Sequence, residues 1–183
     1  MTGYKIRFIL YGGVSIWREL SIPENISFEQ LHNLIQKVFG FEDYHEYEFQ
    51  VPETIASEEA VDLNSVIQTV SREDAGNVKI NEILDENPVL LYVYDFGDEW
   101  EIVVHTMDKI DYDNKTALLT DYKGKYNPRE DIGGIVTFEE IMEAVGDDEE
   151  LEYVLDEYGL TLNDLKMMDF ENKFKKDSRI RLN

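Results

Sequence analysis

The chemistry open to this chain is set by what it lacks as much as by what it has. It contains 3 histidines, 40 acidic residues and no cysteine. Without thiols there is no disulfide, no thiolate zinc site and no cysteine nucleophile. Imidazole and carboxylate remain for acid–base or metal work. Two short blocks concentrate those carboxylates among turn residues. The first is Tyr94-Asp95-Phe96-Gly97-Asp98-Glu99-Trp100. Read structurally, Gly97 permits positive φ, Asp95 bonds to the turn's own N–H groups, and the aromatics pack on either side. Read functionally, the turn faces a ligand, and Asp95 or Asp98 accepts a proton or binds a cation.

The second block is Pro128-Arg129-Glu130-Asp131-Ile132-Gly133-Gly134. It reads as a rigid loop ahead of a capped helix. It also reads as a ligand loop in which Glu130 and Asp131 are acceptors and the glycine backbone approaches the ligand closely. An anion at that helix start is opposed by the neighbouring acids. His32 lies at the border of a helical apolar stripe, and His45 shares a side with Tyr47 and Phe49. Each fits a hydrogen-bonded histidine at the core edge. If they converge on Asp95 or Asp131, the arrangement becomes that of a general base or a mixed His/carboxylate cation site. His45, Asp95 and Asp131 are therefore the metal candidates, although no spacing such as HExxH supports them. His105 is incidental. Arg18, beside Trp17, is the candidate compensating charge for the acids, but strand neighbours face opposite sides and cannot share one pocket. Asp111-Tyr112-Asp113-Asn114 lacks the glycine and closing glutamate of a calcium loop and reads as a turn.

The elements that must hold these residues follow from periodicity. Tyr4, Ile6, Phe8 and Leu10 alternate with Lys5 and Arg7, and Ile16, Arg18, Leu20 and Ile22 with Ser15, Trp17, Glu19 and Ser21. With Gly12-Gly13 between them they predict a hairpin. Ser27 and Gln30 form a capping box ahead of Leu31, Leu34, Ile35, Val38 and Phe39, and Gly40 stops the helix. His45 to Val51 is the next strand. Residues 52–77 read as a variable excursion with a short helix near Val61 to Val70. Val89 to Tyr94 is apolar on both parities, as in a strand covered on both sides. It returns through the first block to Trp100, Ile102 and Val104, and Thr116 to Tyr122 is a further strand. Three short helices close the chain. Thr137/Glu140 caps the first; Asp147-Asp148-Glu149-Glu150 opens the second, suiting its dipole. Thr161/Asp164 caps the third, which runs to Phe174. Strands first and helices late predict an α+β fold. Its sheet is mixed, largely antiparallel and of about five or six strands, with one long amphipathic helix on a face and short C-terminal helices.

One domain spans 1–172. The segment 173–183 is a basic C-terminal tail, expected to fray or to lie against the acidic body. It carries a local balance of +4 within a formal net charge of −23, which leaves −27 on the rest. A body this acidic repels phosphate backbones, so nucleic acid is disfavoured as a partner. The 43% hydrophobic content is ample for a core, yet no run is long enough to span a membrane. The opening Met1-Thr2-Gly3-Tyr4-Lys5 lacks the apolar centre of a signal peptide. A cytoplasmic location is expected.

Several blocks together resemble the plasmid pRiA4b ORF-3-like family of bacteria and archaea. They are Trp17-Arg18, Leu31-His32, Phe39-Gly40-Phe41-Glu42-Asp43-Tyr44-His45 with Glu48-Phe49, Tyr92 to Trp100, and Pro128 to Gly134. The resemblance covers most of residues 3–175. It implies no established activity; resolvase-like and repressor-like labels occur among relatives. Many relatives carry histidines where Tyr47 and Ile102 stand, a proline at Asn127 and a cysteine just before the second block. Chemistry that depends on those residues does not carry over. The expectation is a non-catalytic binding or interaction module with an acidic-aromatic site, taking a protein partner or small ligand, with no cofactor named. Its candidate residues are Arg18, His32, His45, Tyr94, Asp95, Asp98, Trp100, Glu130 and Asp131. The alternatives are a metal-assisted hydrolase using the His and Asp residues, and an accessory protein of DNA mobility or repression.

Overall fold

Alternation at the N-terminus becomes a strand with one buried side. The computed structural model describes residues 1–53, 55–57, 60–61 and 65–183. In β1 (Thr2–Leu10), Tyr4, Ile6, Phe8 and Leu10 are buried while Lys5 and Arg7 are half-exposed. β2 (Trp17–Pro23) pairs antiparallel with it, from Ile9 opposite Trp17 to Gly3 opposite Pro23. In α1 (Phe28–Phe39) the Ser27–Gln30 capping box is formed, and Gly40, at φ 76°, ends the helix. The periodic residues Leu31, Leu34, Ile35, Val38 and Phe39 are all buried.

The remaining strands are β3 (Tyr47–Pro52), β4 (Ile55–Ser57), β5 (Ala60–Val61), β6 (Val66–Ser71), β7 (Val89–Tyr94), β8 (Trp100–Asp111), β9 (Thr116–Lys123) and β10 (Arg179–Arg181). Among the described residues one sheet has eight strands in the order β10-β9-β2-β1-β8-β7-β3-β6, every pairing antiparallel, and β4-β5 form a separate pair. The fold is α+β, with more strands than the alternation predicted. The additional ones are edges: β6 buries only Val70 and β10 only Ile180. A strand with one buried side chain shows no period in its sequence. The predicted helix near Val61 to Val70 is thus replaced by β6 over 66–70; residues 62–64 lie outside the described residues. The tail does not fray but lies against the body as β10.

A single turn, α2 (Asn81–Leu84), precedes β7, and α3 (Gly134–Ala144), α4 (Asp148–Glu157) and α5 (Leu162–Met168) follow β9. At 12 residues α1 barely exceeds α3 at 11 and α4 at 10. The α5 capping box from Thr161 to Asp164 is formed, but that helix ends at Met168, short of Phe174. α1 and the late helices share one core with the inward residues of β1, β2, β3, β7 and β8. On the opposite sheet face Val89, Leu91, Val93 and Val103 form a smaller cluster with Ile9. β7 is accordingly buried along its whole length. No helix among the described residues is long and apolar enough to cross a membrane.

Candidate functional site

Strand register delivers the first parts of the site. Tyr47 of β3 is opposite Tyr94 of β7, so continuing both strands past that pair sets His45 beside the turn that follows Tyr94. Glu46 O accepts from Asp95 N at 2.9 Å, which holds this alignment. Within the turn, Asp95 Oδ1 accepts from Gly97 N at 3.0 Å and Asp98 N at 3.4 Å. Positive φ falls not on Gly97, as the sequence implied, but on Asp95 (60°) and Glu99 (49°). Such backbone costs a non-glycine residue roughly 1 kcal/mol, and aspartate and asparagine tolerate it better than most.

The second block docks on this turn. Gly133 N donates to Asp98 Oδ2 at 3.2 Å. Gly134 has φ 75°, and a Cβ there would sit 2.4 Å from Asp98 O, so only glycine allows the approach. Gly133, at φ 94°, rather than the predicted Thr137, is the N-cap of α3, and Thr137 is buried inside the helix. A second tie runs through Glu130, which accepts from the Tyr94 hydroxyl and from Glu42 N. Tyr94 Oη in turn accepts from Tyr44 N at 3.0 Å. Burial and then the Glu130 carboxylate hold the Tyr94 phenol well above its ordinary pKa, so it stays a donor.

These ties bring three side chains from three segments together. His45 Nε2 lies 3.1 Å from Asp131 Oδ1 and 3.4 Å from Asp95 Oδ2. One donor atom from each residue falls within 4.8 Å of the others. The Asp95 side chain is 10% exposed and that of Asp131 71%, so the cluster runs from a buried floor to an open rim. Nε2 itself is buried, and neither carboxylate meets it with hydrogen-bond geometry. Asp131, like Asp95, has positive φ, 58°. Beside the cluster is a pocket of about 190 Å³ walled by Glu42, Tyr44, Asn127, Glu130, Asp131 and Lys173.

The other candidates serve from behind. His32 is buried, stacked on Tyr47 with ring centroids 3.6 Å apart. Its nitrogens meet Tyr92 Oη at 2.8 Å and Asp43 Oδ1 at 3.0 Å. Burial outweighs the pull of Asp43 and pushes its pKa down to about 4, so it is neutral near pH 7. His32 therefore does not join Asp95 and Asp131. Arg18 is fully buried and has no carboxylate partner among the described residues. It donates to Lys123 O at 2.6 Å, Trp17 O at 2.9 Å and Asn127 Oδ1 at 2.8 Å, and lies 3.8 Å over the Phe170 ring. Asn127 donates on to Val38 O at 3.1 Å. Arg18 is thus a post under the second block rather than a charge facing the acids, and burial lowers its pKa to about 9. Trp100 is fully buried, edge-on to Phe138, and its place is packing. Sequence reasoning missed Asp43 (φ 57°) and Arg72. Arg72 Nη1 donates to Asp43 Oδ1 at 3.0 Å and His45 O at 2.9 Å, fixing the loop that carries His45. The signal for Asp43 was its place in the Phe39–His45 block; Arg72 lies in the excursion and gave none.

The family model described as plasmid pRiA4b ORF-3-like protein matches residues 5–173, nearly the whole chain. The chain belongs to this family. One curated relative, the uncharacterized protein y4hQ of Sinorhizobium fredii, is 25% identical over 142 residues, 72% of this chain. This chain spans only 66% of that relative's length. Among solved structures, the protein of unknown function MM3350 from Methanosarcina mazei Go1 is similar, with a TM-score of 0.66 at 25% identity. That match covers 97% of this chain and 93% of the other. The solved structure shares this architecture, and the descriptions of these two proteins name neither ligand nor reaction.

Proposed function

We propose that this chain is a cytoplasmic binding module whose working surface is the cluster of His45, Asp95 and Asp131 with its adjoining pocket. The observation that carries this reading is the clamp. Two blocks far apart in sequence are locked through Asp98, Gly133, Gly134, Tyr94 and Glu130, and the residues left over face one another. Holding aspartates on left-handed backbone beside each other opposes stability, and such strain concentrates where a site must be preorganised. Tyr44 and Phe96, 73% and 55% exposed, add an aromatic rim. The acidic body favours a small ligand or protein over nucleic acid. The basic tail, which motivated a DNA role, lies along the body with Lys176 3.9 Å from Asp121.

Metal-assisted hydrolysis is the second reading. What favours it is the same convergence, since imidazole and carboxylates at one rim could hold a metal-bound water.

Asp95→Asn and Asp131→Asn test the binding reading without any ligand. Asparagine keeps the Oδ1 acceptor and tolerates positive φ, so the turn bonds survive while the charge and the second acceptor oxygen are lost. A site kept for a ligand predicts metal-free melting within about 0.5 kcal/mol of wild type, or higher, because like charges are relieved. If the cluster instead braces the fold, each variant loses about 1–3 kcal/mol by calorimetry, and the reading fails.

A further inference from the structure

We infer that the ligand of this site is a divalent transition-metal ion, held by His45 Nε2 and one carboxylate oxygen each from Asp95 and Asp131. The inference deepens the binding-module reading and rests on it. The first ground is charge. Among the described residues, His45 is the only basic side chain paired with either aspartate. With neutral imidazole the cluster carries two negative charges, which a divalent ion cancels.

Geometry is the second ground. Metal–ligand bonds of about 2.1 Å place neighbouring donors about 3.0 Å apart in an octahedron and about 3.4 Å apart in a tetrahedron. The separations from His45 Nε2, 3.1 and 3.4 Å, lie within the range that these two geometries span. The two carboxylate oxygens lie within 4.8 Å of each other. The exposed Asp131 side chain is free to close that gap. The third ground is the state of the donor atoms. His45 Nε2 is buried with no hydrogen-bond partner. Asp95 is nine-tenths buried and spends its Oδ1 on the turn. Its Oδ2 is left aimed at His45. A ring nitrogen and a carboxylate oxygen 3.4 Å apart without a hydrogen bond between them suit a shared cation.

The donor set narrows the ion. One imidazole and two carboxylates suit Mn²⁺ or Zn²⁺ better than Mg²⁺ or Ca²⁺, which prefer oxygen alone. Three protein ligands leave positions open, and Asp131 lines the pocket, so water or a further ligand enters from that side.

The test is titration calorimetry of the full chain, freed of metal with a chelator, against Mn²⁺, Zn²⁺ and Mg²⁺ separately. The expected result is one saturable site for Mn²⁺ or Zn²⁺, with Mg²⁺ weaker. His45→Ala and Asp131→Asn should each weaken it by more than about 100-fold, beyond the loss typical of an outer-shell change. Mn²⁺ should also broaden amide signals at Gly97 and Asp131 first. Absence of a saturable site overturns the inference. So does unchanged affinity in both variants, which means diffuse binding to the acidic surface, or Mg²⁺ binding as tightly as Mn²⁺. If the charge-neutral variants keep full metal-free stability and yet wild type binds none of these ions, the metal assignment falls while the binding module stands.

Discussion

On the inner side of the loop between α1 and β3, His32 spends both ring nitrogens on Tyr92 and Asp43. On the outer side, His45 faces Asp95 and Asp131 with its Nε2 unbonded. The residue types are the same and the two clusters share the segment from Asp43 to His45. Their surroundings differ. The inner pair has an arginine on its carboxylate, since Arg72 reaches Asp43, and Gln36 supports the Tyr92 hydroxyl at 2.9 Å. Both His32 nitrogens, the Tyr92 hydroxyl and Asp43 Oδ1 are answered from within, so the cluster specifies structure. The outer cluster has one more carboxylate and one cation fewer. A histidine beside an aspartate thus says little by itself; which charges and lone pairs are left over separates a brace from a site.

The largest effect that can break this comparison is in pH. Burial depresses His32 to about 4 in the fold, against about 6.5 unfolded. The unfolded chain therefore binds the extra proton first. The stability His32 contributes is complete above pH 6.5 and is lost as pH falls toward 4. The full loss is about 3 kcal/mol by linkage. Calorimetry of wild type and His32→Gln should show the variant nearly free of this component across that window. Equal pH slopes would mean that His32 is not held neutral by the fold, and the inner cluster would lose its claim to be purely structural.

Gly134→Ala, the next in size, acts on the clamp that creates the outer cluster. The added Cβ meets a backbone oxygen at 2.4 Å in a conformation that L side chains rarely adopt. The expected loss is about 2 kcal/mol, which corresponds to roughly 4–8 °C for a chain of this length. The amide signals of residues 95–99 should shift with it, while those of Gln36 and Tyr92 stay. Movement in both places would show that the two clusters are one cooperative unit.

How far the sequence reveals this division depends on burial. β1, β2 and α1 were legible because their inward residues recur at strand or helix spacing, which writes a period into the residues even though β2 also buries Glu19 and Ser21. β6 and β10 were not, having one buried side chain each. The start of α3 was misplaced because Thr137 and Glu140 mimic a cap, whereas the approach to Asp98 required glycines at 133 and 134. In the site, the pairing of turn glycines with specified acids and aromatics marked both blocks. The role of Arg18 was misread although its parity was informative: it alternates with Ile16, Leu20 and Ile22, which already put it on the inward side. Arg72 could not be read, because nothing local says which residue of an exposed edge reaches back to a loop.

The smallest expected effect is the sharpest. His45→Gln in chelator at pH 7.5 should change stability by no more than about 0.5 kcal/mol, the usual range for a position away from the core and from hydrogen-bond networks. The backbone bonds at this position survive the change, since His45 O still accepts from Arg72 and the residue 45 amide still meets Tyr94 Oη at 3.4 Å. The ring is 29% exposed, and its Nε2 makes no hydrogen bond to lose. What it does lose is an edge-on ring contact with Tyr94, with centroids 5.9 Å apart, and proximity to two carboxylates, one of them largely in water, where such attraction is worth little. A loss above about 1.5 kcal/mol would mean that His45 is an imidazolium holding Asp95 and Asp131 in place, the range for a charged hydrogen bond. The outer cluster would then be a brace like the inner one, differing only in exposure. A near-zero result leaves three positioned donor atoms for which the fold itself has no use, and that is what a binding site without its ligand amounts to energetically.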